Sequence, residues 1–378
     1  MSLRHYLFLA AVAAVVTFLV TPLVRRYALQ RGLVHAPGGR DVHTTPIPRL
    51  GGVAIFLGVV AAVATQAAGE YLLGWGGTIV DGGTARVRVL GVLLALVVIF
   101  LVGLVDDLVG LSPGVKFSGQ FVAAAIAVAA GLRIDYVGDP LGGGLVQLGL
   151  LSIPLTLIYI LGFTNVINLI DGLDGLAAGV TAIAAASLLV LAAQGNRLDA
   201  AALAAAVIGA CVAFLRYNFH PASIFMGDSG ALFLGFALAV ISLMGVMKST
   251  AAIALAVPLL IIGVPIFDTA SAIVRRVLHQ RPIQEADRGH IHHRLLGRGF
   301  DQRQTVLIIY VWCIALAIGG YAVRWAAGPV KTVAFVLLFV VTGFMAYWLG
   351  LFEAVHIGDE AADGPAEKGN RERAPKVR

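Results

Sequence analysis

The 378-residue chain has little charge: only 13% of its residues are Asp, Glu, Lys or Arg, and 59% are hydrophobic. A soluble domain of this length carries about 25% charged residues, so the composition excludes one. It also argues against nucleic acid as a partner, although the formal net charge is +6. Cysteine is nearly absent. Cys211 and Cys313 both lie in apolar stretches and form no ligand pair by spacing.

Long apolar segments make up most of the chain. A helix that crosses a bilayer needs about 20 apolar residues, and it must be a helix because lipid cannot satisfy free backbone groups. We find no internal repeat and no soluble domain of useful size. The sequence predicts an all-α polytopic membrane domain over residues 1–355 and a polar, disordered cytoplasmic tail over 356–378. Its eleven predicted spans are 5–24, 50–68, 88–105, 117–131, 147–164, 175–194, 199–215, 230–247, 250–267, 304–323 and 331–350.

The Lys and Arg residues predict the orientation of these spans. With the N-terminus outside and the C-terminus cytoplasmic, 19 of the 27 basic residues face the cytoplasm, as the positive-inside rule requires. Nearly every motif falls on that same face. Such one-sidedness suits an active site better than a transport path, which needs polar groups at several depths. A secondary transporter is the alternative from another class.

The adjacent carboxylates of Asp106 and Asp107 stand at the end of the third span. A negative charge at a helix C-terminus opposes the macrodipole, so capping is a poor rationale and we predict a functional role. Polar residues then recur at every third position, which gives one polar stripe if the segment is helical. Capping of the next helix by one of its two aspartates is the alternative. The stripe consists of Asn165, Asn168, Asp171 and Asp174.

Asp228, in the segment MGDSGA, precedes the eighth span, where an N-cap is the alternative to a metal ligand. With the four aspartates above it forms an oxygen-rich, cation-poor set that requires a compensating cation. Mg²⁺ fits because it takes oxygen ligands, keeps waters and bridges carboxylates to substrate phosphates. Zn²⁺ would require Cys or His ligands.

A basic segment near the end of the cytoplasmic sequence contains Arg281, His290, His292 and His293. It lacks the His-Glu-x-x-His spacing of a zinc protease, and the arginines would repel a metal. Arginine and histidine together indicate a phosphate-binding loop. A simple basic loop is the alternative, although it does not explain three histidines in four positions. Lys116, taken alone, is typical of an interfacial lysine.

Five segments carry a resemblance to a known family: GLVDDLVGL, NVINLIDGLDGLA, FMGDSGALFLG, PIFDT and DRGHIHHRL. In this order, over residues 40–296, they resemble the polyprenyl-phosphate N-acetylhexosamine-1-phosphate transferases. The resemblance implies transfer of N-acetylhexosamine-1-phosphate from a UDP-sugar to undecaprenyl or another polyprenyl phosphate, with release of UMP. It implies Mg²⁺, with Mn²⁺ as a substitute, and a bacterial plasma-membrane enzyme, with a homodimer as one expected assembly, that starts a cell-envelope polysaccharide.

The family's roles carry over by position. The resemblance implies that Asp228 and Asp107 bind the metal. The implied catalytic residues are Asp106, Asp107, Asp171, Asp174 and His290. The implied substrate-binding residues are Lys116, Asn165, Asn168, Asn218, Arg281, His292 and His293.

One departure separates two branches of the family. The branch that uses UDP-MurNAc-pentapeptide resembles this chain except that a lysine stands where Gly110 is found. That difference favours UDP-N-acetylglucosamine as donor and leaves the pentapeptide enzyme as the alternative. A binding protein without catalysis is a further alternative, but it has no need of Asp106 and Asp107.

Overall fold

The structure is a computed structural model that describes residues 2–35, 46–76, 88–138, 145–246, 263–278, 291–325 and 328–348. These residues form twelve α-helices. Their bounds are α1 Leu3–Gln30, α2 Gly51–Leu73, α3 Val89–Val109, α4 Pro113–Ala129, α5 Ser152–Ile170, α6 Leu176–Gln194, α7 Leu198–Asn218, α8 Gly227–Val246, α9 Gly263–Leu278, α10 Ile291–Gly297, α11 Gln302–Trp325 and α12 Gly328–Trp348.

Two short antiparallel ladders interrupt the helical fold. Strand β1 (Val34–His35) pairs with β2 (Ile47–Pro48), and β3 (Tyr136–Gly138) pairs with β4 (Leu145–Gln147). The all-α prediction missed both ladders, because strands of two or three residues in loops leave no periodic signal. The fold is otherwise helical, as predicted.

Eight described helices are long and apolar enough to cross a membrane, which agrees with a polytopic membrane protein. They are α1, α2, α3, α5 with the 3-10 turn before it, α6, α7, α8 and α11. Helix α4 is apolar but has only 17 residues, which fits the short fourth span of the prediction. Most of the predicted span 250–267, and the whole predicted tail 356–378, lie outside the described residues.

Helix α8 lies at the centre of the fold. It packs against α2, α3, α5, α6 and α7, and Phe233 and Phe236 on it are fully buried. A helix that is apolar on every side is expected to be buried in this way. By contrast, α1 exposes large apolar side chains such as Leu7 and Leu19, which suits a helix with one face toward lipid.

The start of α8 is tied by backbone hydrogen bonds to the segment that leads into α2. Phe225 donates its N–H to Pro48 O at 2.8 Å, and the Gly51 N–H donates to Phe225 O at 2.9 Å. The Gly52 N–H donates to Met226 O at 2.7 Å. The ends of helices distant in sequence therefore meet at one face of the bundle.

Candidate active site

Asp107, in the last turn of α3, caps the start of α8. Its Oδ1 accepts the Asp228 N–H at 2.7 Å, and its Oδ2 accepts the Ser229 N–H at 2.9 Å and the Ser229 hydroxyl at 2.5 Å. The first N–H groups of a helix have no partner in their own helix and carry positive partial charge, so a carboxylate stabilises them. Asp107 therefore caps a helix other than its own, which is a role that the sequence does not predict.

Two glycines allow α3 and α8 to approach this closely. Gly227 has φ = 69°, which favours glycine, and a Cβ there would lie 2.6 Å from both carboxylate oxygens of Asp107. On α3, a Cβ at Gly103 would lie 2.5 Å from the backbone oxygen of Asp228. The local sequence GLVDD and MGDSG thus encodes the contact between the helices as well as the charges.

Lys116, on the first turns of α4, lies among oxygen atoms from three other helices. Its Nζ is 2.6 Å from Asp228 Oδ1, 2.9 Å from Asp106 Oδ2 and 3.4 Å from Asn168 Oδ1. The prediction of a cation-poor set is therefore wrong, because Lys116, on the helix that precedes the stripe's own helix, compensates two of the carboxylates. We name Asp106, Asp107, Lys116, Asn168 and Asp228 the carboxylate cluster.

The carboxylate cluster brings together four helices and residues up to 122 positions apart in the sequence. Asn168 donates Nδ2 to Asp228 Oδ1 at 2.6 Å, and Asp106 Oδ1 accepts the Leu111 N–H at 2.7 Å, which closes the end of α3. The Asp228 side chain does not cap α8; it faces Lys116 and Asn168 instead. The predicted convergence of Asp228 with Asp107 is thus present.

The polar stripe begins on α5 and continues past its end. Asn165 and Asn168 lie in the helix, and Asp171 directly follows it. Asn165 donates Nδ2 to Gln120 Oε1 on α4 at 2.7 Å and to Leu161 O at 2.8 Å. The hydrogen bond to Gln120 joins α5 to α4, the helix that carries Lys116.

Asp171 lies close enough to the cluster to be affected by its charge. Burial, and then the negative charges of Asp228, Asp107 and Asp174, raise the pKa of its carboxyl well above the ordinary value, while Arg49 opposes this shift. Within the described ranges its carboxylate has no hydrogen-bond partner. A further positive charge near this position would favour its ionised form.

Asp174 has a different environment, because it faces the segment between α7 and α8. Its Oδ2 accepts the Ala222 N–H at 3.0 Å and lies 2.8 Å from His220 Nδ1. The N-cap residue of α6 is Gly175, without a side-chain cap, so the alternative that Asp171 or Asp174 caps α6 is wrong. Asp174 is only 3% exposed.

Asn218 supports the same segment. Its Oδ1 accepts the Gly175 N–H at 3.0 Å, and its Nδ2 donates to Ile224 O at 3.0 Å, in a side chain that is 2% exposed. We name Asp174, Asn218, His220, Ala222 and Ile224 the loop brace. His220 and the backbone groups were not singled out in the sequence, since only spatial contact reveals them.

The predicted basic loop is described only in part. Arg281 and His290 lie outside the described residues, and of His292 only the backbone, in α10, is described. His293 is half-buried on α10. Asp268 on α9 accepts the Ile291 N–H at 2.7 Å and is buried, so it fixes the start of this helix. Asp268 lies in the motif PIFDT, but its sequence position alone does not predict this contact.

The atoms of the carboxylate cluster that could bind a metal are carboxylate and amide oxygens, which are the ligands that Mg²⁺ prefers. The Lys116 ammonium occupies a cation position among them, and this stand-in supports the fit of a small cation. Among the described residues, no group of three or more His, Cys, Asp or Glu side chains is already arranged around one metal position. The cluster contains no histidine or cysteine side chain, which are the ligands that zinc prefers.

Comparison with known proteins gives concordant matches. A model of glycosyl transferase family 4 matches residues 89–246, which contain the whole carboxylate cluster. A probable undecaprenyl-phosphate N-acetylglucosaminyl 1-phosphate transferase of Bacillus subtilis is 42% identical over 79% of this chain and 80% of its own length. Decaprenyl-phosphate N-acetylglucosaminephosphotransferase of Mycobacterium tuberculosis is 38% identical, over 84% and 82%.

A relative from the other branch is more distant. Phospho-N-acetylmuramoyl-pentapeptide-transferase of Desulforudis audaxviator is 32% identical over 82% of this chain and 97% of its own length. The order of identities agrees with the branch that the Gly110 position favours.

Proposed function

The chain belongs to glycosyl transferase family 4, the polyprenyl-phosphate N-acetylhexosamine-1-phosphate transferases, and we propose that it transfers GlcNAc-1-phosphate from UDP-GlcNAc to undecaprenyl phosphate. The acceptor phosphate oxygen forms a bond to the β-phosphorus of the donor. The bond between that phosphorus and the oxygen that bridges the two phosphates breaks, and this oxygen leaves as part of UMP. Support comes from the greater similarity to GlcNAc-1-phosphate transferases than to the pentapeptide enzymes.

The carboxylate cluster is the observation that carries this proposal. The cluster contains three carboxylates but one ammonium, which contacts only Asp106 and Asp228, so it keeps an excess of negative charge that would attract a cation. Asp228 and Asp106, which already contact Lys116, would hold Mg²⁺. Asp107, which the resemblance implied as a metal ligand, has both oxygens bonded to α8 and would instead fix Asp228 through the start of that helix. The metal would supply charge neutralisation at the diphosphate.

The substrates also fit the proposed topology. We propose eleven spans, an outer N-terminus and an active site on the cytoplasmic face of the plasma membrane. The distribution of basic residues supports this orientation. It gives the cluster access to a cytosolic nucleotide-sugar from one side and to a lipid-anchored phosphate in the inner leaflet from the other.

We favour direct displacement over an aspartyl-phosphate intermediate. Both oxygens of Asp107 accept hydrogen bonds from α8, and Asp106 is held by Leu111 and Lys116. A carboxylate held in this way is a poor attacking group, whereas the phosphate dianion of the acceptor is already nucleophilic. Incubation with β-³²P-labelled UDP-GlcNAc without lipid should leave the protein unlabelled; an acid-stable radioactive protein band would refute direct displacement.

The proposed reaction is tested by measuring UMP release from the detergent-purified protein. Undecaprenyl phosphate is supplied with UDP-GlcNAc, UDP-GalNAc or UDP-MurNAc-pentapeptide, with and without the lipid. We expect lipid-dependent UMP release with UDP-GlcNAc. UMP release only with UDP-MurNAc-pentapeptide as donor would favour the pentapeptide branch of the family. The absence of UMP release with every donor would contradict the proposal.

A further inference from the structure

The Lys116 ammonium occupies the position that a small cation would take in the carboxylate cluster. Its nitrogen contacts Asp106 Oδ2 from α3, Asn168 Oδ1 from α5 and Asp228 Oδ1 from α8. Oxygen atoms from three helices that converge on one point form the kind of environment that a metal ion requires. The Lys116 nitrogen lies at that point.

Lys116 and a divalent ion cannot both contact the same oxygens. Two cations on Asp228 Oδ1 would bring like charges together at a partly buried position, where solvent screens them weakly. The Asp228 side chain is 33% exposed and that of Lys116 is 19% exposed. An incoming ion can therefore reach Asp228 from the solvent side and push the ammonium away.

The surrounding structure allows this exchange without movement of the helices. The three hydrogen bonds from α8 to Asp107 do not involve Lys116, so they keep Asp228 in place when the lysine leaves. A lysine side chain is flexible over its four-carbon stem. Asn168 donates Nδ2 to Asp228 Oδ1, and its Oδ1 already faces the position of the ammonium.

We infer that Lys116 is a built-in counter-cation of the active site, which holds the carboxylates together without metal and is displaced when the divalent ion binds. This inference rests on the proposed function, because it concerns the cation of the same site. Lys116 thereby acts as a positioning residue, and its displaced ammonium is left beside the site, where anionic phosphate groups bind.

The first experiment measures Mn²⁺ binding to the purified protein without substrates, by electron paramagnetic resonance of free Mn²⁺ at pH 8. Lys116→Gln removes the competing charge, so we expect Mn²⁺ to bind about tenfold more tightly than to the wild type. Arg216→Gln is the matched control, because this exposed residue at the end of α7 also loses one positive charge. Equal affinity in wild type and Lys116→Gln would overturn the inference.

A second experiment uses the wild-type chain and does not depend on the folding of a variant. An amine-acylating reagent is applied with EDTA or with Mg²⁺, and labelling of each lysine is measured by mass spectrometry. We expect Lys116 to be protected in EDTA and several-fold more reactive with Mg²⁺, while Lys368 and Lys376 react equally in both. A reactivity of Lys116 that does not respond to Mg²⁺ would contradict the exchange.

These readouts separate the inference from the proposed function. Both measure the metal-binding state and neither requires turnover. Tighter Mn²⁺ binding by Lys116→Gln in a protein that releases no UMP from any donor would support the exchange and refute the reaction. UMP release in a protein whose Lys116 never exchanges would do the reverse.

Discussion

The carboxylate cluster and the loop brace both use Asp and Asn side chains, and the motif NVINLIDGLDGLA contributes to both, but their electrostatic environments are opposite. In the cluster, one ammonium pairs with two of the three carboxylates, and the Asp228 side chain is 33% exposed. In the loop brace, Asn218 has a protein partner for its oxygen and its nitrogen and is 2% exposed. An accessible excess of charge can bind a ligand, whereas a buried and satisfied amide can only hold backbone in place.

The contrast extends to two aspartates that are three residues apart. Asp171 lies beside the cluster without a hydrogen-bond partner among the described residues, and Asp174 binds Ala222 N–H and pairs with His220. The DGLDG motif therefore ends α5 with one carboxylate facing the site and another facing away from it. Substitutions that treat the two groups alike should have different consequences.

The largest effect is expected for Asp228→Asn, which keeps the size of the side chain and removes its charge. Lys116 then loses one of its two carboxylates, and the cluster loses a main attraction for a cation. We expect UMP release to fall about a thousandfold, as for removal of a key electrostatic group, with little change in melting temperature. Ser118→Ala, an exposed change on α4, should retain activity. Full turnover of Asp228→Asn would remove Asp228 from the site.

Asp107→Asn should lower both activity and stability, because Asp107 joins the cluster to the start of α8. An amide NH₂ would face the α8 N–H groups, and the charge that compensates the helix dipole would be lost. We expect the free energy of unfolding to fall by about 1–3 kcal/mol and UMP release to fall about a hundredfold. Thermal unfolding and the UMP assay measure the two effects.

Ser229→Ala is the matched comparison for Asp107→Asn. It removes only the hydroxyl hydrogen bond and leaves both backbone N–H bonds to the carboxylate. A smaller loss of stability is expected. If Asp107→Asn lost activity without any loss of stability, the capping role of Asp107 would be wrong.

Eight of the eleven predicted spans coincide with described helices that are long and apolar enough to cross a membrane, because such helices carry their own signal. It also predicts that Asp106, Asp107 and Asp228 meet, since polar groups in a membrane protein are retained where they function. Whether two such groups touch is decided by helix packing. Taken alone, Lys116 is typical of an interfacial lysine, and only the family resemblance implies a substrate-binding role for it. Its contacts with α3, α5 and α8 are visible only in three dimensions.

The same limit explains what was missed in the loop brace. Capping of α6 was considered for Asp171 and Asp174 because a helix follows them in the sequence. Asp174 instead binds residues 46 and 48 positions away. No local pattern reports a partner at that separation, and the role of Asp268 at the start of α10 was missed for the same reason.

Asn218→Ala tests the loop brace and should affect stability more than chemistry. The change leaves the Gly175 N–H and the Ile224 carbonyl without a partner in a buried position. We expect a loss of about 1–3 kcal/mol in the free energy of unfolding and about a tenfold increase in KM for the UDP-sugar. A loss of kcat with unchanged stability and KM would instead place Asn218 at the reacting groups.

Asn218→Asp is the matched variant. The carboxylate can still accept the Gly175 N–H, but it cannot donate to Ile224 O, so its own burial adds a cost. We expect a destabilised protein in thermal unfolding at neutral pH. A variant as stable as the wild type would show that the hydrogen bond to Ile224 contributes little.

The smallest expected effect concerns pH and Asp171. Burial and the neighbouring carboxylates raise its pKa in the folded protein, so the folded state binds this proton more tightly than the unfolded state does. Stability in EDTA should therefore fall as pH rises from the ordinary Asp range through the raised pKa. Asp171→Asn has no titratable group at this position, so its melting temperature in EDTA should depend less on pH than that of the wild type.

Adding Mg²⁺ should reduce the difference between the two proteins, because a nearby cation favours the ionised carboxylate of the wild type. Parallel pH profiles of both proteins in EDTA would show that Asp171 does not sense the charge of the cluster, and the contrast with Asp174 would then be one of geometry alone.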